Sequence, residues 1–174
     1  MQQSLNTYIF ELQRVYFTPV AGKTRKRGEN MMKKYRIGYT QGVYDMFHIG
    51  HLNLINHAKE YCDYLIVGVN SDELVQSYKH KTPVICQEER QIIVTNLKAV
   101  DKCVIATTLN KIAAWNELHF DAIFIGDDWK GNERWLQTER DLAPYGAEVV
   151  YLPHTEGISS TILRPEIDKK IDEK

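Results

Sequence analysis

Hydrophobic and polar positions follow two patterns that alternate along the chain from Tyr35 onwards. Short apolar runs such as residues 64–69 are typical of strands that are buried on both faces of a parallel sheet. Segments such as residues 49–61 place apolar residues three or four positions apart, which is the spacing of one helix face. Because the two patterns alternate repeatedly, they predict a single α/β domain with three layers and a parallel sheet.

The predicted elements are strands and helices joined by short connections. Strands are predicted at residues 35–40, 64–69, 102–106, 122–125 and 148–152. Helices are predicted at residues 49–61, 88–97, 109–118, 132–143 and 159–171, with one more that follows a capping Ser71. Parallel sheets of this kind bind ligands at the carboxyl ends of their strands, so the loops that follow the strands are the first places to look for a site.

The first 33 residues do not follow this alternation. Residues 8–16 carry apolar residues at helical spacing, and residues 22–28 form a short basic run that contains glycine. We expect residues 1–33 to form a poorly ordered extension and residues 34–174 to form the domain. An extension read from a start upstream of Met31 and Met32 is consistent with this, and an appended helix with a basic patch for a partner is the alternative.

The charge balance of the chain excludes some classes of partner. Lysine and arginine number 22 and aspartate and glutamate 23, so the net charge is −1 and no basic field would attract nucleic acid or an anionic membrane. The apolar runs are far shorter than the ~20 residues that span a membrane, and the first residues lack the pattern of a signal peptide. Cys62, Cys86 and Cys103 lie far apart, which disfavours a zinc site or a disulfide framework and predicts reduced thiols in a cytoplasmic protein.

Residues with useful chemistry gather directly after the first predicted strand. His48 and His51 lie three residues apart around Gly50, at the predicted start of a helix, and Asp45 precedes them. The free N–H groups of a helix start and two imidazoles can donate hydrogen bonds to phosphate oxygens, so this loop predicts a phosphate site. A metal site made of Asp45 and the two histidines is one alternative, and a structural role for each histidine is another. The His-Glu-x-x-His spacing of zinc proteases is absent.

Three motifs in order carry a resemblance to a known superfamily. Residues 42–51 resemble the GxFDxxHxGH form of the HxGH nucleotidyltransferase signature, with Tyr44 where phenylalanine is usual. Residues 126–131 (GDDWKG) resemble the GDDWxG stretch of the glycerol-3-phosphate cytidylyltransferase family, and residues 155–161 (TEGISST) resemble its RTEGIST motif. Order and spacing agree over residues 35–167, so the resemblance implies a single Rossmann-like nucleotidyltransferase domain.

The resemblance implies an enzyme that joins CTP to a small phosphorylated alcohol, above all glycerol 3-phosphate, and releases a CDP-alcohol and pyrophosphate. A phosphate oxygen of the alcohol would attack the α-phosphorus of CTP directly, without a covalent enzyme intermediate. The product would serve the synthesis of cell wall, capsule or lipid headgroups. Mg²⁺ is expected to be held through the phosphates without a direct protein ligand, and a homodimer is expected from the resemblance alone.

The resemblance also transfers roles to the residues that match its motifs. Catalytic roles are implied for His48, His51 and Lys81. Nucleotide or substrate binding is implied for Gly42, Val43, Tyr44, Asp45, Lys79, Arg90, Lys98, Gly126, Asp128, Trp129, His154, Thr155, Ser159 and Ser160. Structural alternatives stay open for several of these: a solvated surface loop for the two loop lysines, a salt bridge on a helix surface for Arg90, packing for Trp129 and helix capping for the serines.

Two departures from the family motifs keep other activities open. His154 stands where RTEGIST begins with arginine, and Lys98 stands where the family has a further arginine. Arginine offers phosphate a planar bidentate contact that lysine and histidine lack. The alternatives are an adenylyltransferase of the same superfamily that uses ATP, a degenerate module that binds a nucleotide without turnover, and a metal-dependent hydrolase.

Overall fold

The computed structural model describes residues 33–160, which form a parallel sheet with helices on both faces. The strands are β1 (Tyr35–Gly42), β2 (Cys62–Asn70), β3 (Lys102–Ala106), β4 (Ala122–Gly126) and β5 (Glu148–Leu152). The helices are α1 (Ile49–Tyr61), α2 (Asp72–Lys79), α3 (Gln87–Thr95), α4 (Lys111–Leu118) and α5 (Glu133–Leu142), with 3₁₀ turns at Asp127–Trp129 and Ala143–Tyr145. The predicted α/β class is therefore confirmed.

The strands and these helices lie where the sequence pattern predicts them, and only their ends differ. β2 begins two residues earlier than predicted, because Cys62 pairs with Tyr35 at the start of β1. α4 begins at Lys111, because the side chain of Asn110 caps it by accepting two backbone N–H groups of its first turn. The predicted extension and nearly all of the predicted last helix lie outside the described residues. Within residues 33–160, no helix combines the length and the apolar character that crossing a membrane requires.

The strand order, β3-β2-β1-β4-β5, creates a crevice in the middle of the sheet. All neighbouring strands pair in parallel. The chain builds β2 and β3 on one side of β1 and then crosses over to build β4 and β5 on the other side. β1 and β4 are therefore the neighbours at which the winding reverses, and the carboxyl ends of such a pair frame the usual ligand crevice of a parallel sheet.

Helices cover both faces of the sheet, which explains the unbroken apolar run in β2. Leu65 and Val67 pack on one face, where Val94 of α3 belongs to the same buried cluster. Ile66 points to the opposite face, where Trp135 of α5 is buried. Since both faces of the strand are removed from water from Leu65 to Val69, these positions favour residues without polar side chains.

Candidate active site

A cleft of about 400 Å³ opens at the carboxyl ends of β4 and β5, beside the first turn of α1. Its walls contain residues from all three sequence motifs, and most of the predicted site residues are among them: His48, His51, Lys79, Gly126, Asp128, Trp129, His154, Thr155, Ser159 and Ser160. The remaining lining is Gly50, Leu54, Ile125, Pro153 and Ile158. Motifs that are remote in sequence therefore meet in one place.

His48 precedes α1 and caps it with its own imidazole. Nδ1 of His48 accepts a hydrogen bond of 3.2 Å from the backbone N–H of Gly50. In the neutral ring this bond assigns the proton to Nε2, which can then donate to a ligand. A Cβ at position 50 would lie 3.1 Å from the His48 ring, so glycine leaves the imidazole the room it needs to reach the backbone.

The two imidazoles of the HxGH motif stack on each other. Their ring centroids lie 3.8 Å apart, with an angle of 23° between the planes. Burial, and after it the charge of His48, lowers the pKa of His51 to about 3, while burial and His154 lower the pKa of His48 from its ordinary value. Nδ1 of His51 is buried and has no hydrogen-bond partner among residues 33–160. Near pH 7 both rings are therefore neutral, and they offer N–H donors rather than fixed positive charge.

Positive charge reaches the cleft from Lys79, the last residue of α2. Partial burial and the neighbouring Lys81 lower the pKa of Lys79, whereas Asp45 acts in the opposite direction. Lys81 is exposed and does not line the cleft. The structure thus brings one of the two predicted lysines into the cleft and leaves the other in solvent close to it.

Asp128 bends back toward His154 at the end of β4. A Cβ on Gly126 would lie 2.3 Å from Oδ1 of Asp128, so a side chain at position 126 would displace the Asp128 carboxylate from this position. Oδ1 of Asp128 lies 3.9 Å from Nδ1 of His154, and the backbone N–H of His154 donates to Oδ1 of Asp127 at 3.0 Å. The two aspartates therefore fix the loop after β5 and make one side of the cleft acidic.

Trp129 is packed by a neighbouring side chain and keeps accessible ring surface in the cleft. It lines the cleft and is 39% exposed, so ring surface is accessible to a ligand. The guanidinium of Arg134 lies 5.4 Å from the centre of its ring, which is a cation–π contact. The ring is thus packed by a neighbour and still faces the cleft.

Thr155 and Ser160 hold the segment after β5 against α1 and the loop before it. Oγ1 of Thr155 accepts a hydrogen bond of 3.1 Å from the side-chain amide of Asn53, and Oγ of Ser160 donates to the backbone carbonyl of Asp45 at 3.0 Å. These hydroxyl groups line the cleft and at the same time position its walls.

Four predicted binding residues at the end of β1 and just after it support the cleft without lining it. They are Gly42, Val43, Tyr44 and Asp45. Tyr44 is buried with its hydroxyl 3.4 Å from that of Thr40, and burial raises its pKa. Asp45 is buried and its carboxylate accepts three backbone N–H groups, so it orients the loop, which is one of the two roles expected for it.

The structure places Arg90 and Lys98 away from the cleft, which corrects their expected location. Arg90 has no exposed surface, and its guanidinium is bonded to backbone carbonyls and to Asp72, so it forms neither a surface salt bridge nor part of the cleft wall. Lys98 is exposed and comes four residues before β3, at the amino ends of the strands, whereas the cleft lies at their carboxyl ends. Motif position does not encode which way a side chain faces.

Lys111 is a candidate functional residue that the sequence motifs did not single out. Its Nζ donates a 2.6 Å hydrogen bond to the side chain of Gln41 near the end of β1, and burial, reinforced by Arg134, lowers its pKa to about 8. It lines a second cavity of about 490 Å³ together with Arg134. Since Arg134 also contacts Trp129, this cavity adjoins the cleft. No sequence signal marks Lys111, because its burial results from the packing of α5 against α4.

Known proteins match this chain in sequence and in fold. The family described as Cytidylyltransferase-like matches residues 39–166. The glycerol-3-phosphate cytidylyltransferases of Bacillus spizizenii and Staphylococcus aureus are 35% and 33% identical to the chain, and each match covers 74% of this chain and 94% or 92% of the relative. A solved structure of a lipopolysaccharide core biosynthesis protein from Thermoplasma volcanium has a TM-score of 0.62 at 24% identity, covering 70% of this chain and 99% of that one, and is alike in fold.

The low pKa of His51 makes the stability of the fold depend on pH. Between pH 6.5 and about 3 the unfolded imidazole binds a proton that the folded one does not, so stability is complete above pH 6.5 and is lost as the pH falls. From pH 7 to pH 5 the loss due to this ring is about 2 kcal/mol. Urea unfolding at both pH values should show a loss smaller by that amount in His51→Asn. His119→Asn, a change of an exposed histidine, is the control and should behave as the wild type; equal losses in all three proteins would contradict the prediction.

Proposed function

Because this chain belongs to the cytidylyltransferase-like family, we propose that it joins CTP to glycerol 3-phosphate and releases CDP-glycerol and pyrophosphate. It is a nucleotidyltransferase, as the family match and the named relatives indicate. The identity of the nucleotide and of the acceptor is the part that we propose. It is supported by the names of the relatives and by the motifs whose residues line the cleft.

The observation that carries this proposal is the stacked pair of imidazoles at the start of α1. The rings provide N–H donors, the helix start provides a positive dipole end, and Lys79 provides a full charge in the same cleft. A nucleoside triphosphate needs this combination, because its polyphosphate carries several charges and many acceptor oxygens. The apolar side chains of Leu54, Ile125 and Ile158 leave part of the cleft suited to a base or a sugar.

In the proposed reaction a phosphate oxygen of glycerol 3-phosphate forms a bond to the α-phosphorus of CTP. The bond from that phosphorus to the bridging oxygen of the β-phosphate breaks, and pyrophosphate leaves with the electron pair. Nε2–H of His48, the ring of His51 and Lys79 would stabilise the charge that develops on the departing group. No cluster of three or more His, Cys, Asp or Glu residues suited to a metal occurs within residues 33–160, so Mg²⁺ would be held mainly by the phosphates.

The second cavity suits the phosphate of the acceptor. Lys111 is largely buried, yet its hydrogen-bond partner Gln41 is neutral, so an anion beside it would gain a strong interaction. Arg134 lines the same cavity and adds a second cation. The carboxylates of Glu133 and Asp141 also lie in its wall, and they would disfavour a more highly charged polyphosphate at this place.

The rival activities differ in how well the site supports them. A metal-dependent hydrolase on Asp45, His48 and His51 is disfavoured, because backbone N–H groups occupy the Asp45 carboxylate. An adenylyltransferase would use the same imidazole pair, and a module without turnover is favoured only by the departures at His154 and Lys98. A homodimer and a cytoplasmic location stay predictions.

Pyrophosphate release in the presence of CTP or ATP with a panel of phosphorylated alcohols tests the proposed function. We expect CTP with glycerol 3-phosphate to exceed every other pair by about 100-fold or more in kcat/KM, as a site built to bond the correct partner rejects others. Turnover with ATP alone would contradict the choice of nucleotide. Tight binding of CTP without turnover on any alcohol would show a module that has lost catalysis.

Removing either imidazole should abolish most of the turnover. His48→Ala and His51→Ala should each lower kcat by about 100-fold or more, because each removes a donor to the developing charge. His48→Asn keeps a side-chain acceptor that can cap α1, so it should restore stability without restoring kcat. His119→Asn should retain the wild-type rate, and near-normal rates in both cleft variants would locate the chemistry elsewhere.

Lys111→Met should weaken the binding of the acceptor and leave the binding of the nucleotide nearly unchanged. We expect the KM for glycerol 3-phosphate to rise by about tenfold or more, with a change of at most about threefold in the KM for CTP, because only the second cavity loses its buried cation. Steady-state kinetics with each substrate varied in turn would measure both constants. Lys34→Met, a change of an exposed lysine at the amino ends of the strands, is the control. An equal rise in both constants would contradict an acceptor role for the cavity.

A further inference from the structure

Arg90 is a fully buried arginine whose donors all face the protein itself. Nε donates to the carbonyl of Ile85 at 2.8 Å, and Nη1 donates to the carbonyl of Val43 in the loop before α1. Nη2 donates to the carbonyl of Asn70 at the end of β2 at 2.9 Å and to the carboxylate of Asp72. One guanidinium thus joins the ends of β1 and β2, the start of α2 and the segment before α3.

Asp45 also bonds to the segment before α3. Its Oδ2 accepts the backbone N–H of Val84, and its Oδ1 accepts the backbone N–H of Ile85, both at 3.0 Å. Ile85 therefore donates its N–H to Asp45 and accepts from Arg90 through its carbonyl. Asp45 and Val43 belong to one loop. The bonds of Asp45 and those of Arg90 therefore both connect the Val84–Ile85 pair to the loop that leads into His48.

The segment that Asp45 and Arg90 hold joins α2 to α3. Lys79, the last residue of α2, directly precedes it, His80 leaves the helix in the left-handed conformation, and Lys81 lies within the segment. Lys81 and Val84 of this segment are exposed, and the side chain of Thr82 donates to Gln76 of α2 at 3.4 Å. Arg90 and Asp45 provide the bonds that connect the segment to the loop before the imidazoles.

We propose that Arg90 and Asp45 form a buried clamp that sets the distance between the lysine-bearing segment and the imidazole pair. In this role Arg90 is a positioning residue and does not contact the nucleotide. The inference rests on the proposed function only in so far as Lys79 and Lys81 serve the phosphates. Arginine is required because its planar fork reaches four acceptors at once, whereas a lysine is a single point charge.

Hydrogen exchange of the Val84 and Ile85 amides tests the clamp without any substrate. In Arg90→Lys we expect these two amides to exchange about tenfold faster or more, while amides in the centre of β1 and β4 keep their protection. Arg140→Lys is the matched control, since the contacts of Arg140 with Glu133 and Gln137 are exposed and lie within α5. Unchanged exchange at Val84 and Ile85 in a folded Arg90→Lys protein would overturn the clamp.

A double-mutant cycle with Lys79→Met tests whether the clamp acts through the lysine segment. If each single variant lowers kcat/KM for CTP by about 100-fold, the double variant should lose at most about threefold more, because both changes remove the same contribution. A merely structural Arg90, or one that contacts phosphate independently, would instead multiply the losses to about 10⁴-fold. That multiplied result would overturn the proposal.

Asp45→Asn provides a second route to the same test if Arg90→Lys does not fold. An asparagine side chain keeps one acceptor oxygen and loses the other, so faster exchange is expected at one of the Val84 and Ile85 amides, and protection of both would overturn the clamp. The two proposals can fail separately. A protein inactive with CTP would refute the proposed function while the exchange measurement still decides whether the clamp exists.

Discussion

A hydrogen bond within the first turn of α1 sets the chemistry of the cleft. By accepting the backbone N–H of Gly50, Nδ1 of His48 fixes the orientation of its ring and leaves Nε2–H as the free donor. The ring of His51 stacks against it and also packs against Tyr44 and Phe47, so the geometry of the pair depends on all of these contacts. The loop that delivers His48 is in turn held by Arg90 and Ser160, which bond to its carbonyl oxygens. A small local interaction is thus made rigid by buried contacts from distant parts of the chain.

In this site the neutral hydrogen-bond donors and the full positive charges come from different residues. A buried imidazolium would be costly, and the low pKa of His51 reflects that cost. The histidines therefore provide neutral donors inside the cleft, whereas full charges come from Lys79 in its wall and from Lys111 in the adjoining cavity. Such an arrangement suits a reaction in which charge moves from an acceptor phosphate toward a departing pyrophosphate, since fixed dipoles and cations need little reorganisation while the charge moves.

His154, in the wall of the cleft, is one of the two places where this chain departs from the motifs that it resembles. It stands in the place of an arginine, its backbone N–H donates to Asp127, and its ring lies 3.9 Å from the carboxylate of Asp128. These contacts hold the backbone of the loop after β5, and Gly126 leaves room for the Asp128 carboxylate. A strong likeness over the whole domain is therefore compatible with a local loss of one bidentate phosphate contact.

Local sequence patterns were enough to predict the α/β class, the position of each strand and the loop that bears the two histidines. These features depend on local patterns: the unbroken apolar run at residues 64–69 reports burial on both faces, and a glycine between two histidines reports a close approach at a helix start. The location and burial of several charged side chains could be seen only in the folded structure. Arg90 is buried, Lys98 lies at the amino ends of the strands, and Lys111 is largely buried beside a cavity. The free energy of a charged group depends on the groups that surround it in the fold, and these come from remote segments. The spacing of residues along the chain does not report such neighbours.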